Sequence, residues 1–374
     1  MKNSFGTAIT VTLFGESHGD GIGAVIDGIA PGLEIDYSYI NKKLELRRPH
    51  GKISTSRKEA DPFRIVSGVF DGKTTGTPIC ILIPNSDTKS KDYSSLKVKP
   101  RPSHADFTAE CKYHGYQDYR GGGHFSGRIT AALVCAGAII QRALENINIY
   151  IGTHISALHG ITDRPFSYGD GMIDDIKLLS DKHFPVLDSA KEGAMTEEIE
   201  KAAAAKDSVG GILESLIVGI PEGVGEPWFD SMESEISHIL FSIPGIKGVE
   251  FGAGFKLSDM LGSEANDLFF TDGTKTYTKT NNSGGINGGI TNGMPITVRT
   301  AVRPTPSIYK TQETVDITKM ENTSLAIEGR HDPAIIHRAR VVQDSALAIA
   351  IADMLAVRFG TDFLFGGQIP GGEK

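Results

Sequence analysis

The chain has 374 residues, 44 of them glycine, with 39% hydrophobic and 22% charged residues and a formal net charge of −8. That length and apolar content support a sizeable core, and the acidic balance excludes a general nucleic-acid or membrane-surface binder, so a basic cluster here reads as a local site for an acidic small molecule. Cys80, Cys111 and Cys135 are odd in number and show no C-x-x-C spacing, which excludes a disulfide framework and fits reduced thiols in the cytoplasm. Residues 1–14 lack the continuous apolar core of a signal peptide, and the apolar run near residues 131–140 falls short of the ~18 residues that span a bilayer. A cytoplasmic protein is expected.

In chain order, residues 8–14 alternate apolar residues with Thr and predict a strand ending at the polar cluster Gly15-Glu-Ser-His-Gly19. Residues 21–27 predict a returning strand. Glycines 19, 21 and 23 resemble part of a dinucleotide fingerprint, but strand-like Ala24-Val-Ile26 follows where a helix is required, so a Rossmann unit is rejected. Residues 37–46 have helical spacing and merge into a basic segment, 42–58, read as a solvated loop apart from Arg47 and Arg48. Strands at 64–70 and 77–83 precede a polar loop, 85–100, and the proline-stiffened turn Arg101-Pro-Ser-His-Ala-Asp106.

Arg120-Gly-Gly-Gly-His-Phe-Ser-Gly-Arg128 opens onto an apolar, alanine-rich helix predicted to reach about residue 145. Two readings of this loop stand. One is an anion site at a helix start, without the Lys-Ser/Thr of a nucleotide triphosphatase; the other is a glycine-rich turn capped by Ser126 over a buried helix. Beyond it, 147–158 is β-rich, 161–191 irregular, and 196–206 a short charged helix. A strand at 210–220, a helix at 230–241, a strand at 249–255 and a hairpin at 268–280 around Asp272-Gly273 follow. A second glycine cluster, Ser283-Gly-Gly-Ile-Asn-Gly-Gly-Ile-Thr-Asn-Gly293, leads into a strand at 296–302 that ends at Arg303-Pro-Thr-Pro-Ser307. Gly329-Arg-His-Asp-Pro333 precedes a long helix, 339–359, with alanine on a buried face. No linker or internal repeat divides the chain.

The chemistry-bearing residues lie in these loops. Glu16, Ser17 and His18 stand between glycines at a strand end, where an imidazole can act as general acid and a hydroxyl can relay a proton. His104 is a second imidazole beside Arg101, and His331 and Asp332 follow Arg330 in a third loop. Each has a structural alternative: a turn hydrogen bond for His18 and His104, a salt-bridged turn for His331-Asp332. Arg47, Arg48, Arg101, Arg120, Arg128, Arg303 and Arg330 share the same loops, and planar guanidinium groups suit bidentate binding of phosphate and carboxylate, which points to a small ligand with several negative charges. The pairs His154/His159 and His331/His337 lack an H-E-x-x-H or C-x-x-C frame, and no calcium loop or G-x-S-x-G elbow occurs, so neither a metal site nor an activated serine is expected. Phosphate chemistry would then rest on arginines, histidine acids and an organic cofactor.

Six loops, at 15–19, 101–106, 120–128, 284–290, 303–307 and 329–333, together resemble the signatures of the chorismate synthase family, in the family's order and over most of the chain. The resemblance implies an α+β fold, a single-domain β-α-β sandwich over residues 1–374 with a disordered C-terminal end, assembled as a homotetramer. It also implies a lyase that eliminates phosphate and the C6 hydrogen from 5-enolpyruvylshikimate 3-phosphate in an anti-1,4 sense, the last step of the shikimate pathway to aromatic amino acids. The family requires reduced FMN without net redox change; the reducing equivalents would come from NADPH or an external flavin reductase.

By the same resemblance, His18 would protonate the leaving phosphate, His104 would protonate the anionic reduced flavin, and Ser17 and Asp332 would relay the C6 proton. Arg47, Arg48, Arg101, Arg128 and Arg330 would clamp substrate, and flavin contacts would fall on His124, Phe125, Ser126, Pro244, Gly245, Gly288, Arg303, Pro304, Thr305, Pro306, Ser307 and Arg330. The chain departs from the family where His124 replaces Arg, Gly127 replaces Ala, Ile129 replaces Glu and Arg303 replaces Lys, and the basic loop after Arg48 is a residue short. His124 bears most on the flavin contacts, because a neutral imidazole does not replace a guanidinium fork. A non-catalytic protein holding FMN or a phosphorylated acid on the same scaffold is the alternative that these departures raise.

Overall fold

The computed structural model describes residues 2–51, 53, 54, 60–86, 97–167, 169, 171–327 and 331–366. Arg330, Lys52, Arg57, Lys58, most of the polar loop predicted at 85–100 and the C-terminal end from 367 lie outside the described residues.

The first sheet contains β1 (Ser4–Phe5), β2 (Thr10–Gly15), β3 (Gly21–Asp27) and β4 (Arg64–Ser67), followed in sequence by a small hairpin, β5 (Val69–Phe70) and β6 (Lys73–Thr74), and closed by β7 (Ile79–Pro84). Its order is β1-β2-β3-β7-β4 with every pairing antiparallel. The second sheet is built from β8 (Tyr150–Leu158), β9 (Ile161–Thr162), β10 (Gly211–Val218), β11 (Ile246–Phe251) and, after the hairpins β12 (Phe269–Thr271)/β13 (Thr276–Thr278) and β14 (Ile286–Asn287)/β15 (Ile290–Thr291), β16 (Ile296–Val302). Its order is β11-β16-β10-β8-β9, again antiparallel. A last hairpin joins β17 (Gln312–Asp316) to β18 (Glu321–Leu325).

Between the sheets lie helices α1 (Tyr37–Arg47), α3 (Thr130–Asn146) and α8 (Ile336–Phe359), while α2 (Asp106–Tyr113) stands near the cavity described below. α3 packs on β3, β7 and α8, and α8 packs on β8 and β10, so the layers run sheet, helices, sheet. Both central helices are buried nearly all round: α3 is apolar on almost every face, whereas α8 also buries His337, Arg340, Gln343, Asp344 and Asp353. They approach closely because Gly137 has no side chain: a Cβ there would overlap Ser345. Residues 127–146 are long and apolar enough to cross a membrane by composition, but 83% of that window is buried inside this layer. On the outer face of the second sheet, α4 (Gly171–Leu179) packs Ile176 and Leu179 against Leu216, and α5 (Ser189–Ala204) lies beside β9. α6 (Met232–Ser242) leans on α8 and β11, and the short α7 (Gly262–Ala265) and α9 (Phe363–Gly366) complete the chain.

Several sequence expectations shift. Residues 171–179, expected as irregular, form α4, and the helix expected at 196–206 begins at Ser189, capped by the Asp188 side chain. The strand expected at 64–70 breaks at Gly68, whose φ is +81°. The strand expected at 249–255 is β11, ended by Gly252 and Gly254, both at positive φ. In the basic segment Lys43 is buried, not solvated, and burial lowers its pKa.

Candidate active site

The loop after β2 and the glycine loop before α3 are joined backbone to backbone. Ser17 N–H donates to the Gly123 carbonyl at 3.1 Å, and His124 Nδ1–H donates to the Gly15 carbonyl at 2.8 Å. Gly121, Gly122 and Gly123 all have positive φ, and a Cβ on Gly121 would overlap the His18 ring while one on Gly123 would overlap the Asp118 carbonyl. The glycines let the backbone lie against the His18 imidazole. Ser17 Oγ is 3.2 Å from His18 Nδ1, and both residues are buried. Ser126 does cap, accepting from Arg128 N–H, as the turn reading expected, and the same turn lines a cavity.

Asn85, at the end of β7, adds a clip that no motif indicated. Its Nδ2 donates to the Glu16 and Gly19 carbonyls at 2.9 and 2.8 Å, and its Oδ1 accepts from Arg128 Nε at 3.1 Å. The His18 loop and Arg128 are thereby held by one amide.

These loops open on a cavity of about 1180 Å³. His18, Arg47 and Arg128 line one part; His104, Arg101 and Asp332 line it as well. Every expected flavin contact among the described residues is on the wall except Gly288: His124, Phe125 and Ser126, then Pro244 and Gly245, then Arg303, Pro304, Thr305, Pro306 and Ser307. Gly288 sits in the β14–β15 turn, away from this cavity. Ser17 stands behind His18 and Arg48 behind the wall, so neither lines it. Arg120, grouped with the ligand arginines in sequence, does not line the cavity and is bonded to Asp118, which does.

Arg101 Nε and Nη2 donate to the two oxygens of Asp106 at 2.7 Å each, a bidentate fork. Burial alone would raise the Asp106 carboxyl, but the Arg101 hydrogen bonds and charge outweigh it and hold the pKa low. His104 Nε2 is 2.7 Å from Ser307 Oγ, and Arg303 Nη1 donates to the Ser103 carbonyl at 2.8 Å, tying this turn to the segment after β16. Burial, then the neighbouring Arg101 charge, lowers the His104 pKa to about 4. His104 is therefore neutral at pH 7 in the ligand-free protein.

Asp332 accepts from Arg338 Nη1 at 2.7 Å, and Arg338 Nε donates to the Arg47 carbonyl at 2.7 Å. Arg338 lines the cavity from the first turn of α8 and was missed in sequence; its only signal is its place soon after the Arg-His-Asp-Pro turn. Among the described residues, no group of three His, Cys, Asp or Glu is arranged to hold a metal ion. His154, one member of a metal-like pair, is held by Asp163 and Glu214, and its would-be partner His159 by Glu198.

An α+β fold enclosing a cavity with guanidinium groups on its wall, and with the buried His18 and half-buried His104 beside hydroxyls, is the kind of site an enzyme acting on a small molecule uses. The family model for chorismate synthase matches residues 9–356. The chain is 43% identical over 353 residues to chorismate synthase of Thermococcus kodakarensis, covering 94% of this chain and 97% of that one. It is 45% identical to the enzyme of Pyrococcus abyssi with the same coverage, and 45% identical over 361 residues to that of Dehalococcoides mccartyi, covering 96% and 98%. A solved structure titled as a chorismate synthase crystal structure superposes with a TM-score of 0.77 at 27% identity, covering 98% of each chain. The chain belongs to the chorismate synthase family, and it is a lyase.

Proposed function

We propose that this cavity carries out the anti-1,4-elimination of phosphate from 5-enolpyruvylshikimate 3-phosphate to give chorismate, with reduced FMN bound and no net redox change. The observation that carries the reading is that one cavity of about 1180 Å³ is walled at once by His18, Arg47 and Arg128 and by His104, Ser126 and Pro304. Ligand sites commonly span ~300–1,000 Å³, so there is room for a cofactor and a substrate side by side.

The residues fit a flavin. Gly245, whose carbonyl receives the Arg303 N–H, and the Pro304–Ser307 turn offer backbone and apolar surface, with the Arg303 guanidinium at hand for an anion. When bound, the reduced flavin supplies electron density to the departing carbon–oxygen bond and a destination for the C6 hydrogen. Arg47, Arg101 and Arg128 orient the substrate's phosphate and carboxylates, with Arg48 supporting from behind and Arg330 assigned the same role; charge developing on the leaving phosphate is stabilised by groups already in place. His18 donates a proton to that phosphate, and Ser17 at its Nδ1 fixes the ring and connects it to the proton relay. Asp332, oriented by Arg338, completes the relay. His104 gains its proton as anions bind beside it, since negative charge raises an imidazole pKa.

The reading extends to one domain over residues 1–374, supported by a large buried cluster that runs through both sheets and the helices between them, with a smaller one under α4. It also extends to a cytoplasmic homotetramer, supported by exposed Trp228, Phe229, Phe255 and Phe269, and to NADPH or an external reductase as electron source. The test is anaerobic incubation of the purified protein with substrate and photoreduced FMN. Phosphate and chorismate absorbance should appear in step while the flavin stays reduced; absence of both with flavin demonstrably bound overturns the reading.

A further inference from the structure

Asp61 belongs to none of the loops that carry the family signatures, yet its carboxylate is the convergence point of the anion wall. It is 1% exposed and does not line the cavity, whereas Arg47 and Arg128 do. Its Oδ1 accepts from Arg128 Nη1 and its Oδ2 from Arg47 Nη2 at 3.2 Å, with Arg48 Nε 3.9 Å from the second oxygen. Arg128 is fixed further by Asn85 and by the Pro84 carbonyl, and Arg48 Nη2 donates to the Ala60 carbonyl. The three guanidinium groups are thus held in one arrangement by the protein itself, before any ligand arrives.

Stability alone is a weak reason for such a centre, because buried ion pairs seldom improve on well-packed apolar residues. Charge supplies a better one. Arg47 and Arg128 present guanidinium groups to the cavity, where a phosphate would meet them, while the Asp61 carboxylate behind them repels that phosphate across the same groups. A site with the arginines alone would hold substrate and released phosphate equally hard, and uniform tightness lowers KM without raising kcat.

We propose that Asp61 is a positioning residue for the elimination: an internal counter-ion that aims Arg47, Arg48 and Arg128 and competes with the released phosphate for them. The inference rests on the reading of the cavity given above and deepens it. Asp61 has φ +48°, a left-handed conformation that Asn adopts as readily as Asp, so Asp61→Asn removes the charge while keeping shape and backbone.

The first experiment needs neither substrate nor flavin. Inorganic phosphate is titrated calorimetrically into the full-length wild type, Asp61→Asn and Asp61→Glu, each checked for folding by circular dichroism. Asp61→Asn should bind phosphate about tenfold tighter and Asp61→Glu close to wild type, as expected when one of several charges around an anion is removed. Unchanged affinity in folded Asp61→Asn overturns the proposal, as does equal tightening in Asp61→Glu, which would assign the effect to packing. If Asp61→Asn does not fold, Asp61→Ser is titrated in its place and should also bind phosphate about tenfold tighter; unchanged affinity in that folded variant overturns the proposal. In turnover, Asp61→Asn should lower KM, the phosphate inhibition constant and kcat together. A wild type that binds phosphate but never releases it from 5-enolpyruvylshikimate 3-phosphate defeats the functional reading while leaving the phosphate comparison intact.

Discussion

On one wall of the cavity Arg101 is forked by Asp106, five residues away in the same turn; on the other Arg128 meets Asp61, 67 residues away, together with Arg47 and Asn85. The first pair is made by a local turn and the start of α2, and its acid is partly open to solvent, with 15% of the side chain exposed. The second exists only because β7 and the segment before β4 bring Asn85 and Asp61 against the start of α3, and its acid is wholly buried. A local pair can be lost locally. An assembled, buried one ties Arg128 to Asp61, Asn85 and the Pro84 carbonyl at once, so its loss leaves several buried polar groups a partner short.

The largest effect should therefore follow Arg128→Ala, with a stability loss of about 3–5 kcal/mol in denaturant titrations, against about 1–2 kcal/mol for Arg101→Ala. Equal losses would erase the distinction between the walls. Next comes the glycine loop that the assembled wall adjoins. Gly121→Ala drives a Cβ into the His18 ring, so it should cut kcat by roughly 10²–10⁴-fold, as His18→Ala should, while flavin titration stays near wild type in the latter. Full turnover by His18→Ala would remove that imidazole from the acid role.

Acid should weaken the whole molecule through the buried His337 and the half-buried His104. His337 is pushed down to about 3 by burial and the Arg338 charge, and His104 to about 4 by burial and the Arg101 charge. Both values lie below that of an unfolded histidine, so stability is complete above about pH 6.5 and is lost as pH falls and the unfolded chain takes up protons, at about 1.4 kcal/mol per pH unit for each until its folded value is reached. His337→Gln should flatten the fall in urea midpoint between pH 6.5 and 4; an unchanged slope would dismiss His337 as a source.

A smaller signal separates the walls during binding. Uptake of up to about one proton per site should accompany anionic ligands at pH 7, read by calorimetry in buffers of different ionisation enthalpy, and should vanish in His104→Asn. The smallest effect is expected at Gly127, where a Cβ would meet nothing within 4 Å: Gly127→Ala should shift stability by less than about 0.5 kcal/mol and leave kcat unchanged.

His124 shows what a departure from a family pattern can mean. Its ring donates to the Gly15 carbonyl, which anchors the His18 loop, and it still lines the cavity. The imidazole has a structural task where a guanidinium fork was expected. Arg303, in contrast, keeps the positive charge and uses one nitrogen to hold the Ser103 carbonyl.

The amino-acid sequence by itself determined the parts whose causes are local. Strand periodicity marked β3 and β16, both at their observed limits, and apolar composition marked α3 and α8. The glycine loop, the Arg101-to-Asp106 turn and the Arg303-to-Ser307 segment were legible because glycine, proline and short-range pairing constrain a few consecutive residues. α4 was hidden by the Gly, Pro and Asp scattered around it, since its helix is selected by packing Ile176 and Leu179 against the second sheet. Tertiary structure alone decided that Asp61 turns inward, that Asn85 clips two loops, that Arg338 reaches both Asp332 and the Arg47 carbonyl, and that Gly288 stays off the cavity. Those contacts join residues far apart in the chain, and a carboxylate near a basic segment has the same local pattern whether it faces water or closes a ring of arginines. Only the folded chain, by excluding water from that ring, makes the difference.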